Sequence, residues 1–217
     1  MEDEDFLVQM FPLRAVTPSG APQPQAQIEY LAAGNGLWRS ITSPWLRSLT
    51  PLAISEGLLT PFGSLQEVHE IRIPAPPASC WKAFLLLAKQ SFPQEAAAWF
   101  VWNPSSGSWR FAPRIPVTAS GEYIEYREPV FGEGEIPVID IHSHGRHEAF
   151  FSDTDDLDDK GSLKLAVVIG NIDQPTCTIA GRAVLLDNIR PLIFLDGDRW
   201  AIGQTNDSHH SRGAAVT

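Results

Sequence analysis

The residues best placed to do chemistry lie in one run, Ile139-Asp-Ile-His-Ser-His-Gly-Arg-His-Glu-Ala-Phe-Phe-Ser-Asp-Thr-Asp155. Two histidines separated by a single residue point to the same side of an extended chain, because side chains along a strand repeat every two residues. His142 and His144, at the end of an apolar strand, could therefore both reach one metal ion. Seven intervening residues lead to Ser152 and two more to Asp155. Ser-x-x-Asp resembles a capping box, in which the serine satisfies free backbone N–H groups at a helix start. A helix beginning there places Asp155 in its first turn, able to face back toward the strand end. Two imidazoles and one carboxylate can hold zinc and leave a fourth position for water, the pattern of a catalytic rather than a structural site.

Each piece has a plainer reading. A lone His-x-His is usually a surface or structural feature, and Ser-x-x-Asp alone is usually only a cap. The acidic run from Asp153 to Asp159 suggests calcium, but Leu157 sits where an EF-hand loop needs an oxygen ligand and the loop glycine is displaced. His147 is close to the run but off its spacing and reads as a rim or solvent residue. The joint spacing changes the balance: a chance match to the combined pattern should be rarer than about one in a million start positions at average composition.

The elements that must position these residues can be read coarsely as mixed α/β. Val138–Ile141 is a strand leading into the histidines, with further strands at Leu165–Ile169 and Thr178–Leu185. A helix is expected over Cys80–Gln90, with Ser79 as its N-cap and Trp81, Phe84, Leu85 and Ala88 forming one apolar stripe. Pro93 stands where that helix must stop. Ala98–Asn103 and Trp109–Ala112 read as a hairpin around Asn-Pro-Ser-Ser-Gly-Ser, and Tyr123–Arg127 alternates weakly. Upstream, Gln27–Leu31 and Leu37–Ile41 flank a turn signal, Ala-Ala-Gly-Asn-Gly. Proline-rich Pro74–Pro77 marks a boundary, giving a small β-rich N-terminal extension (residues 1–77), a main domain (78–202) and a loose polar tail (203–217) carrying His209 and His210.

The run resembles the signature of the JAMM (JAB/MPN) metallopeptidase family, over roughly residues 78–200. The resemblance implies a cytidine-deaminase-like mixed β-sheet flanked by helices, and one zinc per chain held by His142, His144 and Asp155. It further implies an upstream glutamate just after the first helix. Phe92-Pro-Gln-Glu95-Ala-Ala-Ala-Trp-Phe-Val-Trp102 matches that segment, whereas Glu122, Glu125, Glu128, Glu133 and Glu135 come too late in the fold order. Glu95 is then the proton carrier and Ser152 the hydrogen-bond donor to the oxyanion. Two positions depart from the family pattern: Gly145 stands where proline usually follows the second histidine, and Ala98 where glycine often follows the glutamate. Asp140-Ile-His-Ser-His-Gly and Ala149-to-Asp159 are similar to the protein A components of bacterial PRTRC plasmid cassettes. They are also similar to JAB deubiquitinase-like peptidases of bacterial ubiquitin-like conjugation operons, some of which act in antiphage defence. The resemblance implies hydrolysis of the amide bond after the C-terminal tail of a ubiquitin-like protein, with activating-enzyme-like and conjugating-enzyme-like proteins as neighbours. Segment 121–137 lies where relatives carry an insertion that clamps the tail. The alternatives are a JAB peptidase acting on a sulfur-carrier protein or small peptide, and a non-catalytic MPN-type scaffold. No function is implied for residues 1–77.

Composition bounds these readings. The chain has 217 residues, 43% hydrophobic and 19% charged, enough for one full core with a smaller addition. A net charge of −10 without a Lys/Arg cluster argues against nucleic acid as partner. Cys80 and Cys177 form neither a disulfide framework nor a CxxC pair, so a reducing cytoplasm is expected. The start, Met1-Glu-Asp-Glu-Asp5, is acidic where a secretory signal is basic, and the densest apolar run, Ala83–Ala88, is too short to span a bilayer.

Overall fold

A computed structural model describes residues 13–55, 60–120, 123–195, 199–204 and 214–216; side chains of 118–125 and 214–216 are not described. The chain divides into two compact units, Met1–Ile73 and Pro74–Thr217. Among the described residues no helix is long and apolar enough to cross a membrane.

The first unit is a five-stranded sheet in sequence order: β1 (Leu13–Ala15), β2 (Ile28–Ala33), β3 (Gly36–Thr42), β4 (Leu46–Ile54) and β5 (Val68–Ile71). The expected turn joins β2 to β3; β1 runs parallel to β2 and the other pairs are antiparallel. Val16, Leu31, Ala33, Trp38, Leu49 and Leu65 form its core.

The second unit opens with α1 (Ala78–Ser91). Its cap is Pro77 rather than the expected Ser79, and no side chain bonds the free N–H groups. Proline serves because its restricted φ, −66° here, matches a cap and it has no N–H of its own to satisfy. Cys80, Phe84 and Ala88 line the buried face, while Trp81 packs edge-on against Phe100 at 5.1 Å. Then follow β6 (Ala97–Asn103), β7 (Ser108–Pro113), β8 (Ile115–Ser120), β9 (Tyr123–Arg127), β10 (Ile136–Ser143) and α2 (Asp153–Asp159). The chain continues with β11 (Ser162–Gly170), β12 (Cys177–Leu186), β13 (Asn188–Phe194), β14 (Trp200–Ile202) and β15 (Ala214–Val216). The main sheet runs β14-β13-β12-β11-β10-β6-β7, with β15 beside β12 and β8–β9 forming a separate hairpin. The fold is thus mixed α+β, a many-stranded sheet flanked by helices. Within the tail expected from Gly203, residues 205–213 and 217 lie outside the described residues, and Ala214–Val216 pair with β12.

Strand β10 lies inside the sheet, antiparallel to β6 and parallel to β11. Its alternation sorts the chemistry: Ile139 and Ile141 are fully buried beside Phe100 and Ala98, and Asp140 and His142 face the other way. Across that second face the register sets Trp99, Asp140, Ala166 and Arg182 in one row on four strands.

Candidate metal centre

His142 is the penultimate residue of β10, and His144 follows the strand end. Their backbone is held from both sides: Ser143 N donates to Ala96 O at 2.9 Å, and His144 N donates to Ile169 O at 3.0 Å. The serine between the histidines has a structural task that its spacing alone did not disclose. Its fully buried hydroxyl accepts from Ala96 N at 2.9 Å, which ties the residue after Glu95 to the histidine segment.

Beyond His144 the chain turns sharply. Gly145 has φ of +53°, a conformation that proline, fixed near −65°, cannot adopt. The departure from the family's usual proline therefore corresponds to a different loop path. That loop closes on β11, with Asn171 N donating to His147 O and Ile172 N to Gly145 O, both at 2.8 Å. It delivers Ser152 as N-cap of α2, in a complete capping box. Asp155 N donates to Ser152 Oγ at 3.3 Å, Ser152 N donates to Asp155 Oδ2 at 2.7 Å, and Ser152 Oγ also donates to Oδ2 at 2.6 Å. These bonds occupy one oxygen of Asp155 and leave Oδ1 turned to His142 Nε2 at 3.3 Å. The two histidine Nε2 atoms lie 3.1 Å apart.

Donor atoms of His142, His144 and Asp155 all fall within 4.8 Å of one another. Zinc–ligand bonds of ~2.0–2.1 Å in a tetrahedron set ligands ~3.3 Å apart. The 3.1 and 3.3 Å separations match that edge. The donor chemistry fits as well, since burial pushes His142 down and takes His144 down to about 4, with the neighbouring His142 charge adding to the latter. Both imidazoles are thus neutral and nucleophilic at neutral pH. Burial raises the Asp155 carboxyl, but the His142 charge and the Ser152 hydrogen bonds outweigh it, so its pKa lies below the ordinary value. Phe150 closes one side, its ring edge-on to His144 at 4.4 Å.

These groups line a cavity of about 740 Å³ that also contains Glu95, His147 and Glu128, a size suited to a ligand site. Glu95 sits between α1 and β6. Much of the residue meets solvent, yet the cavity walls partly strip water from its carboxyl; this, and then the Asp155 charge, raises its pKa. Its carboxylate makes no hydrogen bond among the described residues, while its carbonyl accepts from Tyr126 of the hairpin at 3.1 Å. The competing glutamates are differently placed. Glu128 accepts from Trp99 Nε1 at 2.8 Å and pairs with Arg114. Glu135 is bound to Arg110 and to Gly132 N, which takes its pKa down to about 2. Glu122 lies outside the described residues, as does the side chain of Glu125. The structure therefore brings Glu95, His142, His144, Ser152 and Asp155 around one cavity. Sequence reasoning missed Ser143, Asp140, Lys164 and Arg182, whose partners lie elsewhere in the sequence.

A strand end that delivers two imidazoles and a following helix that returns one carboxylate form a three-donor cluster able to hold a metal ion. The domain carrying it is a JAB/MPN domain, JAMM-like in its cluster: residues 77–183 match the family model described as prokaryotic homologs of the JAB domain. Residues 1–72 match a second family model, a domain of unknown function (DUF2016). No curated protein and no solved structure matches the chain.

Proposed function

We propose that the protein is a zinc-dependent peptidase or isopeptidase that hydrolyses the amide bond after the C-terminal tail of a ubiquitin-like protein. The observation carrying this reading is a Glu95 carboxylate that makes no hydrogen bond among the described residues, with its pKa raised, sharing one cavity with the His142–His144–Asp155 cluster. Zinc held by those three residues supplies a Lewis acid and lowers the pKa of water to about 7. Glu95 accepts the proton lost by the attacking water and passes it to the leaving amine. Its raised pKa suits a group that must both take and give a proton near neutral pH. Ser152 turns its hydroxyl from Asp155 Oδ2 to the developing oxyanion. An extended tail adds as a strand along the β8–β9 hairpin, where main-chain hydrogen bonds give affinity. The similarity of Asp140–Asp159 to PRTRC protein A and to JAB peptidases of ubiquitin-like operons supports a bacterial ubiquitin-like pathway, with a small modifier protein as partner.

The test pairs elemental analysis with turnover on ubiquitin-like fusions. Wild type should carry about one zinc per chain, set by the one three-donor site among the described residues, and Asp155→Ala should lose it. Glu95→Gln should keep zinc and lose at least about a hundredfold in kcat. A zinc-free wild type after reconstitution, or a Glu95→Gln enzyme at normal rate, refutes the reading.

A further inference from the structure

Helix α2, which carries Asp155, has almost nothing apolar to hold it down. Its sequence is Asp-Thr-Asp-Asp-Leu-Asp-Asp, and its one large apolar residue, Leu157, is 74% exposed. Seven residues are too few to be helical by propensity alone. The only buried residue of α2 is Asp159, and it is clamped between two cations of the sheet. Lys164 Nζ lies 2.6 Å from Asp159 Oδ1, and Arg182 Nη2 lies 2.6 Å from Oδ2. Arg182 also donates through Nε to Asp159 Oδ2 at 2.7 Å and through Nη1 to Asp156, and its guanidinium stacks on Phe151 at 3.9 Å. On the other side Lys164 pairs with Asp140 at 2.7 Å, and Asp140 with Arg114 at 2.9 Å.

Six charges therefore alternate in sign from Arg114 through Asp140, Lys164, Asp159 and Arg182 to Asp156. The row on the sheet explains how they fit. Between Asp140 and Arg182 it carries Ala166, a small side chain that lines the same cavity as Asp159 and Lys164. Arg182 touches the segment at three points, Phe151, Asp156 and Asp159, which bracket both Ser152 and Asp155. A planar guanidinium with five fixed donors defines position in a way a single ammonium cannot.

We propose that Arg182, with Lys164 behind it, is a positioning residue for the metal centre: it fixes α2 on the sheet and so holds Asp155 where its free oxygen meets His142 and His144. This rests on the metal site argued above. It goes beyond that site by placing control of the carboxylate on β12, a strand that contributes no ligand.

The test measures zinc affinity by competition with a chromophoric chelator in wild type, Arg182→Met and Arg182→Lys, well below their unfolding temperatures. The ligand-field spectrum of each Co(II)-loaded protein and the thermal midpoint of each zinc-free protein complete the set. Arg182→Met should weaken zinc about 10–100-fold and change the Co(II) bands, as loss of a group orienting a metal ligand does. Arg182→Lys keeps the charge but not the fork; it should fall between the two and stand in for Arg182→Met if that chain does not fold. A lowered thermal midpoint with zinc affinity and Co(II) bands at wild-type values would make Arg182 merely structural and overturn the proposal. Wild type that takes up no zinc overturns the metal centre itself and this role with it. Wild type that binds while both variants bind equally well overturns this role alone.

Discussion

Gly170→Ala probes how tightly the fold holds the loop between the histidines and Ser152. Gly170 ends β11 at an ordinary φ, so the demand for glycine comes from space alone. A Cβ there would lie 2.3 Å from Ala149 N, 2.3 Å from His147 O and 2.4 Å from Glu148 C. All three are backbone atoms that cannot rotate aside, and ordinary contact needs ~3.5–4.0 Å, so loop and strand must part by ~1 Å or more. The same loop is tied down by Asn171 N to His147 O, Ile172 N to Gly145 O and Ala149 N to Thr178 Oγ1, each 2.8 Å. Overpacking costs about 1–3 kcal/mol, and stretching one or two of these bonds adds about 1 kcal/mol. The sum, roughly 2–4 kcal/mol, corresponds to a fall in Tm of roughly 4–15 °C for a chain of this size. Because His144 N bonds to Ile169 O beside the disturbed residue, zinc affinity should drop together with Tm. Differential scanning fluorimetry with and without zinc, plus chelator competition, reads both. Gly132→Ala is the control, since its Cβ would meet only the flexible Glu135 side chain at 3.4 Å. Equal Tm and zinc affinity in Gly170→Ala and wild type would refute the argument that close backbone approach fixes this loop.

Proton release on metal binding and the two tasks of Ser152 give further checks. Two ordinary imidazoles together hold about 1.5 protons at pH 6, but His144, lowered to about 4, is deprotonated there, and His142, lowered by burial, holds less than an ordinary imidazole. Proton competition at each histidine sets in as pH falls through its lowered pKa, so zinc affinity should fall less from pH 7 to 6 than it would with two ordinary histidines. Calorimetry at pH 6 in buffers of differing ionisation enthalpy, on Glu95→Gln to remove that carboxyl's contribution, should find less than one proton released. About 1.5 protons would show unperturbed histidines. Ser152→Ala removes the cap of α2, at a cost of about 1 kcal/mol, and the proposed oxyanion donor. At saturating zinc, kcat should fall about a hundredfold, and a loss of only a few-fold would reduce Ser152 to a cap.

What could be read from the sequence was whatever covalent spacing fixes. His142 and His144 share a face because strand geometry requires it, and Ser152 and Asp155 are set by helix geometry. The elements with clean periodicity, α1, β6, β10, β11 and β12, were visible for the same reason. Strands with broken patterns were not. In β4, Ser48 and Thr50 are fully buried and Pro51 interrupts the run; β8 contains Pro116 and β13 contains Pro191. The acidic stretch 153–159 suggests calcium by its composition, yet Asp156 and Asp159 are ion-paired to cations more than twenty positions away or across a turn. Gly170 gave no signal at all, since its need for glycine exists only once the 147–149 loop has closed over it.

The two halves of the metal site are built to different standards of rigidity. The imidazoles ride on a strand bonded on both sides, with the buried Ser143 hydroxyl adding a further tie at its end. Displacing them requires parting the sheet. The carboxylate rides on a seven-residue helix held by its capping box and by ion pairs, with little apolar surface to resist a shift. Apolar contacts tolerate sliding at small cost, whereas a guanidinium bonded to two carboxylates of one helix loses those bonds when the helix moves by an ångström or so. Charge is thus the effective way to hold so short an element in register, provided the ions stay paired, because an orphaned buried charge costs several kcal/mol. Side-chain truncations that weaken metal binding without touching a ligand, as opposed to a backbone clash such as Gly170→Ala, should therefore concentrate on the carboxylate side, at Lys164, Arg182 and Asp159, rather than around β10.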